Sequence, residues 1–333
     1  MKAIVYTEYG SPDVLKLQEV AKPTPKENEV LVEIHAASVN QLDGKIKMGE
    51  FKLLLPYKFP LILGHDMAGV VSKIGSGVSQ FKVGDEVYAR VSDFSIGTFA
   101  TYISVHEGDL ALKPKNISME QAAAMPLVAL TAWQAFVEKA NLQKGQKVFI
   151  QAGSGGVGTV AIQLAKHLGA TVATTTSAAN GTLVKNLGAD MVIDYKKDDF
   201  ETMLKDYDMV LNSQDEKTLE KSLRILKSGG KLVSISGPPD TDYAKAFGLP
   251  WFLKIVFFFL SNKVKRIAKK LNVHYSFLFM RANGKQLSEI TALIEAGKIR
   301  PVIDHVFPFE QTNEAMTYVA SGRAKGKVVL KMK

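Results

Sequence analysis

The chain has 333 residues, 46% of them hydrophobic, and a formal net charge of +9 at pH 7. This length suffices for two domains with separate cores, and the absence of cysteine excludes disulfides, thiolate nucleophiles and cysteine-built zinc sites. No apolar run reaches the roughly 18 residues of a membrane span, and no secretory signal opens the sequence, so we expect a cytoplasmic protein. The positive charge favours anionic partners, which include phosphate-bearing cofactors, membrane surfaces and nucleic acid.

The first part of the sequence, up to about residue 125, has the pattern of a β-rich domain. Short alternating or apolar runs are separated by glycine- and proline-rich turns, which is typical of a barrel-like or Greek-key sheet. The predicted strands are Ala3–Thr7, Val30–Ala37, Ala68–Ile74, Glu86–Arg90 and Phe99–Val105. The composition of Met119–Ala140 then predicts two helical segments, with an interruption near Pro126.

From Lys147 onward the pattern alternates between strands and helices, which predicts a parallel, doubly wound α/β sheet with right-handed crossovers. The predicted strands are Val148–Gln151, Thr171–Thr175, Met191–Ile193, Met209–Asn212, Lys231–Ile235 and a sixth at Ser276–Met280. A tail follows, with helices near Lys285–Ala296 and Gln311–Ala320 and strands at Val302–Phe307 and Gly326–Leu330. We expect this tail to return to the first domain.

A glycine-rich turn links the first of these strands to its helix. Gly153, Gly155 and Gly158 fit the pattern G-x-G-x-x-G. In a dinucleotide-binding turn the first glycine permits the turn, the second admits the pyrophosphate, and the third lets helix and strand pack closely. The strand-turn-helix context favours dinucleotide binding, and a purely structural turn is the alternative.

An aromatic segment, Leu249–Leu260, lies between the fifth and sixth predicted strands and is followed by a run of basic residues up to Lys270. Twelve residues interrupted by Lys254 are too few to span a bilayer. We favour a helix packed on its domain, as a cleft wall or subunit contact. A helix lying on a membrane surface is the alternative.

Further motifs occur in a characteristic order along the chain. They are Ala37–Asp43, Leu63–Val71, Val83–Tyr88, Gly97–Tyr102, the glycine turn and Leu187–Tyr195. Across essentially its whole length the sequence resembles the medium-chain dehydrogenase/reductase superfamily, and within it the zinc-independent quinone oxidoreductases and enone reductases. The resemblance implies a GroES-like β-barrel catalytic domain (residues 1–126 and 284–333), a Rossmann domain (127–283), an active-site cleft between them, and commonly a homodimer.

Candidate site residues come partly from the resemblance and partly from the residues themselves. Asn40 would face the nicotinamide and substrate, and Asp43 and Tyr57 are the other catalytic candidates. Thr131 would contact the nicotinamide end and Phe279 its carboxamide, although Thr131 could instead bond a helix carbonyl and Phe279 could be plain core. The remaining cofactor-binding candidates are Gly153, Ser154, Gly155, Gly156, Val157, Thr176, Ser177, Asn180, Tyr195, Asn212, Ser236, Gly237 and, as phosphate contacts, Lys325 or Lys327.

A catalytic zinc is not expected. Zinc-dependent members of the superfamily carry a cysteine where this sequence has Asn40, and a histidine–acid pair at His65-Asp66. A catalytic zinc needs three protein ligands and an open position. One histidine beside one carboxylate does not supply them, so we expect His65 to have a structural or hydrogen-bonding role.

The end of the second Rossmann strand bears on the choice of cofactor. NAD-binding domains place an acid there for the ribose 2′-hydroxyl, and a carboxylate would repel the 2′-phosphate of NADP. This sequence has no acid between Ala173 and Asn180, and Thr176, Ser177 and Asn180 can hydrogen-bond a phosphate. NADPH is therefore the expected cofactor, although no Lys or Arg directly follows the strand.

The expected chemistry is hydride transfer to an enone or a quinone, since the sequence contains no G-x-S-x-G elbow and no cysteine nucleophile. An enone would develop negative charge on its carbonyl oxygen, for which backbone N–H groups, cofactor hydroxyls or Asn40 are candidate donors. Two alternatives stay open: a zinc alcohol dehydrogenase, which the ligand chemistry disfavours, and a non-catalytic NADPH-binding protein whose basic surface meets RNA or membrane. No RNA-binding motif supports the latter.

Overall fold

The computed structural model describes residues 1–10 and 15–333, apart from the side chain of Ala246. The chain divides into two compact units, residues 1–130 with 281–333 (unit 1) and residues 131–280 (unit 2). Within the described ranges, none of the helices combines the length and hydropathy needed to cross a membrane.

Sixteen strands are present in the described chain. They are β1 Lys2–Tyr6, β2 Lys16–Glu19, β3 Glu29–Val39, β4 Leu61–Ile62, β5 Asp66–Ile74, β6 Glu86–Arg90, β7 Tyr102–His106, β8 Leu110–Leu112, β9 Lys147–Ile150, β10 Thr171–Thr176, β11 Met191–Asp194, β12 Tyr207–Asn212, β13 Leu226–Ser234, β14 His274–Phe277, β15 Ile303–Pro308 and β16 Lys327–Lys331.

The α-helices are α1 Gln41–Lys47, α2 Met119–Ala123, α3 Pro126–Trp133, α4 Gly156–His167, α5 Gly181–Asn186, α6 Phe200–Met203, α7 Glu216–Arg224, α8 Thr241–Ala246, α9 Trp251–Lys270, α10 Gly284–Glu295 and α11 Thr312–Ala320. Short 3-10 helices cover Glu107–Asp109, Ala178–Asn180 and Phe309–Gln311, and a π-helix covers Gln134–Ala140. The helical region therefore breaks near Pro126 as predicted, because proline is tolerated in the first turn of a helix but not inside one.

Unit 1 is built on the long strand β3. It pairs antiparallel with β5, β7 and β16 in a seven-stranded sheet, and β2, β1 and β4 form a separate three-stranded sheet. Alternate residues of β3, Val30, Val32 and Ile34, are fully buried in the core of this unit. The pairing of β16 with β3 returns the chain terminus to unit 1, as the sequence predicts, whereas β2, β4 and β8 are too short or too polar to have been predicted.

Unit 2 contains six parallel strands in the order β11-β10-β9-β12-β13-β14. The chain winds outward from β9 in one direction and from β12 in the other, so the order reverses between β9 and β12. In sheets of this kind ligands bind beyond the carboxyl ends of the strands at the reversal. The predicted α/β architecture, a β-rich domain with a second domain built on a doubly wound parallel sheet, is confirmed.

The sixth strand of this sheet differs from the prediction. It covers His274–Phe277 instead of Ser276–Met280, so Phe279 lies beyond the strand. Phe279 packs against Tyr243 and Phe247, with ring centroids 5.7 and 5.9 Å apart. The apolar run continues past the last ladder hydrogen bond because it enters this aromatic cluster, and hydrophobicity alone does not distinguish the two environments.

Candidate functional site

The glycine turn connects β9 to α4 at the reversal point of the sheet. Gly155 precedes the first helical residue in extended backbone (φ −79°, ψ 175°), and α4 begins at Gly156. The first turn of α4 contains no acidic side chain. Its N–H groups and the positive end of its dipole thus make the start of α4 suitable for an anion.

The three motif glycines are required for different reasons. A Cβ on Gly153 would lie 2.2 Å from Thr174 Oγ1, and one on Gly158 would lie 2.3 Å from the Ala152 carbonyl oxygen. At Gly155 the nearest atom is the Ala152 carbonyl oxygen at 3.3 Å. Packing within the protein therefore excludes side chains at the first and third glycines, whereas a Cβ at the second would meet only one atom within 4 Å, so this position is the least crowded of the three.

Polar side chains converge on Ser154 in the same turn. Thr176 Oγ1 donates to Ser154 Oγ at 2.8 Å, and Asn180 Nδ2 donates to Ser154 Oγ at 3.2 Å and to Ser177 Oγ at 3.3 Å. The sequence therefore identified four residues that the structure brings together at the carboxyl end of β10. The cluster is uncharged and offers hydroxyl and amide donors to a phosphate.

The neighbouring turn after β11 carries two lysines, which are flanked by Asp194 on one side and by Asp198 and Asp199 on the other. Thr176 and Asp194 are register partners at the ends of β10 and β11, and the Tyr195 N–H donates to the Thr176 carbonyl at 3.3 Å. Tyr195 is 61% exposed, and Lys196 and Lys197 follow it as exposed residues. Basic residues are therefore absent after β10 but present after the adjacent strand β11. This proximity can be recognised only once the strand order is known.

A buried polar relay lies beneath the ends of β9, β12 and β13. Asn212 Nδ2 donates to Gln151 Oε1 at 2.8 Å, and Ser234 Oγ donates to Asn212 Oδ1 at 2.5 Å. Ser234 Oγ accepts from the Gly237 N–H at 2.7 Å, and the exposed Ser236 donates to the Gln214 carbonyl. The predicted residues Asn212, Ser236 and Gly237 therefore share one network, and the sequence reasoning missed Gln151 and Ser234. Thr131 lies on α3 and is buried.

In unit 1, Asn40 connects a set of buried polar residues. Its backbone N–H donates to Asp43 Oδ2 at 2.7 Å and its Nδ2 donates to Asp66 Oδ2 at 2.9 Å. Lys327 Nζ donates to Asn40 Oδ1 and lies 3.4 Å from Asp66 Oδ2. Ser38 Oγ also donates to Asp66 Oδ2, at 3.0 Å. Asn40 is 6% exposed, and it therefore bridges a buried anion and a buried cation.

Asp43 links Asn40 to a second part of this cluster. His65 Nδ1 lies 2.6 Å from Asp43 Oδ1, and both side chains are fully buried. His65 Nε2 has no hydrogen-bond partner within the described residues and lies 3.6 Å from Asp93 Oδ1, which Arg90 contacts at 2.5 Å. The expected hydrogen-bonding environment of His65 is thus present. Asp43 is directed inward, so it can act through Asn40 and His65.

The charges of this cluster influence one another. Burial alone would lower the pKa of His65, but Asp43 and Asp93 more than offset this and raise it. Burial would raise the pKa of Asp93, but Arg90 and His65 lower it to about 2. Burial lowers the pKa of the Lys327 ammonium, and Asp66 and Asp43 partly offset that effect. The carboxyl groups of Asp43, Asp66 and Asp93 therefore lie in one buried cluster with the basic side chains of His65, Arg90 and Lys327.

Two further candidates have different surroundings. Tyr57 donates its hydroxyl proton to the Asp93 carbonyl at 2.7 Å, and burial together with the Asp93 carboxylate raises its pKa above the usual value. Its role as a proton donor stays a prediction, and the raised pKa makes it a weaker acid. Lys327 is buried against its own unit, unlike a surface phosphate contact, whereas Lys325 is exposed.

The described residues contain no group of three or more His, Asp or Glu side chains placed to hold a metal ion. Asn40 Nδ2 lies 2.9 Å from Asp66 Oδ2, and His65 Nδ1 lies 2.6 Å from Asp43 Oδ1. The histidine and the acid of the His65-Asp66 pair are therefore hydrogen-bonded to other side chains.

We expect neither added zinc nor EDTA to change the rate of NADPH oxidation. The measurement is activity before and after dialysis against EDTA, with the zinc content of the purified protein determined. Stoichiometric zinc whose removal abolishes activity would contradict this.

Comparison with known proteins places the chain among oxidoreductases. Residues 26–115 match the family model of the alcohol dehydrogenase GroES-like domain, and residues 187–330 match that of the zinc-binding dehydrogenases. A 2-methylene-furan-3-one reductase from Solanum lycopersicum is 39% identical over 99% of this chain and 79% of its own length. The chain belongs to the medium-chain dehydrogenase/reductase superfamily. Within that superfamily it belongs to the zinc-independent quinone oxidoreductase and enone reductase branch.

Two further members support this placement. A chloroplastic NADPH-dependent alkenal/one oxidoreductase from Arabidopsis thaliana is 38% identical over 99% of this chain and 79% of its own length. The solved structure of an Escherichia coli quinone oxidoreductase complexed with NADPH has a TM-score of 0.84 at 27% identity and covers 100% of both chains. The superfamily fold therefore extends over the whole length of this protein.

Proposed function

We propose that this protein is an NADPH-dependent oxidoreductase that reduces quinones or the C=C bond of α,β-unsaturated carbonyl compounds without a metal. The observation that carries the proposal is the carboxyl edge of the unit 2 sheet, where Gly155, the least crowded of the three motif glycines, adjoins the uncharged Ser154–Thr176–Asn180 cluster. Relatives named as an alkenal/one oxidoreductase and a quinone oxidoreductase support the substrate classes.

The cofactor would be held by unit 2. The N–H groups at the start of α4 bind the pyrophosphate beside Gly155, and the hydroxyl and amide groups around Ser154 bind the 2′-phosphate. Tyr195 would adjoin the adenosine end, and the exposed Lys196 or Lys197 would contact the phosphate despite the flanking Asp194 and Asp198. The relay of Gln151, Asn212 and Ser234 fixes the turns that follow β9, β12 and β13.

NADPH, when bound, supplies a hydride to the β-carbon of an enone or to a quinone. The residues of this chain then have to stabilise the negative charge that develops on the substrate oxygen. We assign Asn40 to this role, because one hydrogen of its amide is held firmly by Asp66 and the other makes only a 3.4 Å contact with the Ser38 carbonyl. Asp43 and Asp66 act as positioning residues for Asn40.

Two further features belong to this proposal. A homodimer is the assembly that members of this branch commonly adopt, and we propose it for this protein with a cytoplasmic location. Some relatives carry chloroplastic or mitochondrial names, so location varies among similar proteins.

The function is tested by a panel of enones, 2-alkenals and quinones, with NADPH and NADH supplied in parallel. We expect NADPH oxidation with at least one class, and a kcat/KM for NADPH at least about tenfold above that for NADH, since no acid at the end of β10 selects the unphosphorylated ribose. Product analysis separates alkene reduction from semiquinone formation. A preference for NADH would overturn the cofactor assignment, and binding of NADPH without turnover on any class would overturn the activity.

A further inference from the structure

The helix α9 exposes an unusual concentration of large apolar side chains. Seven of the eighteen exposed large hydrophobic residues in the described chain fall within Trp251–Leu260, including Trp251 at 73% and Phe259 at 67% exposure. The opposite side of the helix is used for packing, because Val264 and Ala268 belong to the hydrophobic core of unit 2. The helix is therefore fixed to its unit by one side and presents the other to solvent.

The exposed side of α9 changes character along its length. At 3.6 residues per turn, the side that carries Trp251, Phe252, Ile255 and Phe259 continues as the exposed residues Arg266, Lys269 and Lys270. The helix contains six basic residues and no acidic one. An aromatic half is thus followed, on the same side, by a cationic half.

Two nearby acids do not neutralise this side. Lys263 Nζ lies 2.8 Å from Glu216 Oε1 and 2.7 Å from Glu220 Oε1, both on α7. These two acids therefore pair with Lys263. Lys265 donates to Thr241 at 3.3 Å. Within the described residues, the exposed Arg266, Lys269 and Lys270 make no ion pair with an acid.

We propose that the exposed side of α9 is a docking surface for anionic lipid membranes. A lipid surface offers acidic headgroups to the cationic half and hydrocarbon to the aromatic half, and Trp and Phe favour this interface. A second copy of this chain would bring two helices of six basic residues together, and like charges oppose that contact. The aromatic half is about 15 Å long, which suits shallow, tilted insertion rather than crossing of a core about 30 Å thick.

The proposal is tested by sedimentation of the full-length protein with vesicles. We expect binding to mixed phosphatidylcholine–phosphatidylserine vesicles, little binding to phosphatidylcholine alone, and weakening by salt. We expect the double variant Phe252→Ser/Phe259→Ser to reduce partitioning of the protein into anionic vesicles at least about tenfold. The triple variant Arg266→Glu/Lys269→Glu/Lys270→Glu should reduce it by at least about the same factor.

Matched controls separate this surface from general properties of the protein. Leu53→Ser with Val83→Ser removes exposed apolar side chains of unit 1, and Lys16→Glu with Lys73→Glu and Lys82→Glu changes the net charge equally. Both controls should bind vesicles as the unmodified protein does. A blue shift of tryptophan emission on vesicle binding that is lost in Trp251→Phe would locate the insertion at α9, since the chain has 2 tryptophans.

Three results would overturn the proposal. The protein could stay in the supernatant with anionic vesicles, or the apolar variant could bind them as tightly as the unmodified protein. In the third, Phe252→Ser with Phe259→Ser would dissociate an oligomer in analytical ultracentrifugation and leave vesicle binding unchanged, which would make this surface a subunit contact. Vesicle binding and oligomeric state are measured without substrate turnover, so failure here is distinguishable from failure of the proposed function.

Discussion

Replacing Gly155→Val is expected to weaken NADPH binding by roughly a hundredfold while the protein stays folded. The Cβ of the new side chain would lie 3.3 Å from the Ala152 carbonyl oxygen, a tight contact that needs a far smaller shift of the backbone than a Cβ at Gly158 would. The rest of the side chain occupies the space in front of α4 where the pyrophosphate is proposed to bind. The measurement is the Kd for NADPH, by quenching of protein fluorescence or by calorimetry, with the thermal unfolding midpoint measured alongside.

Gly158→Ala is the matched control for this prediction. Its Cβ would lie 2.3 Å from the Ala152 carbonyl oxygen and 2.7 Å from Gly153 Cα, so backbone must move. We therefore expect its main effect on the unfolding midpoint, because the helix and turn can no longer pack closely. Wild-type NADPH affinity in a folded Gly155→Val protein would refute the assignment of this turn as the pyrophosphate site.

The two glycine variants also illustrate how much of the site can be predicted from the sequence. The motif predicts the position of the turn, because a strand, three spaced glycines and a helix are local features. Why each position requires glycine is different, and the structure is needed to show it, because the neighbouring atoms belong to Thr174 and Ala152. Most strands were likewise predictable from local periodicity. The sixth strand was misplaced because an aromatic cluster and a ladder strand have the same hydrophobicity.

The polar clusters were predictable to a smaller degree. Asn40, Asp43 and Lys327 were recognised singly, but the bond between Asn40 and Lys327 joins positions 287 residues apart. No local pattern indicates such a pairing, so the sequence offers Lys325 and Lys327 alike as phosphate contacts, and only the structure shows that Lys327 is buried. Gln151 and Ser234 were missed for the same reason, since a polar residue at the end of a buried strand is conspicuous only once the strand order is known.

Asn40→Ala is expected to lower kcat by about a hundredfold, the usual cost of removing one donor to a developing oxyanion. The Kd for NADPH should change by no more than about threefold, because the cofactor-binding residues proposed above lie in unit 2. The substitution removes the donor to Asp66 and the acceptor for Lys327 together. The measurement is kcat for the best enone or quinone of the panel, combined with the Kd for NADPH of the same preparation.

Ser38→Ala provides the control that distinguishes a catalytic amide from general damage to the cluster. Ser38 Oγ donates to the same Asp66 Oδ2 at 3.0 Å, so its loss perturbs the buried acid while Asn40 stays in place. If Asn40 acts on the substrate, Ser38→Ala retains most of the turnover that Asn40→Ala loses. Equal losses in both variants would mean that the charge of Asp66 and Lys327 governs the rate, and unchanged turnover in Asn40→Ala would remove this residue from the mechanism.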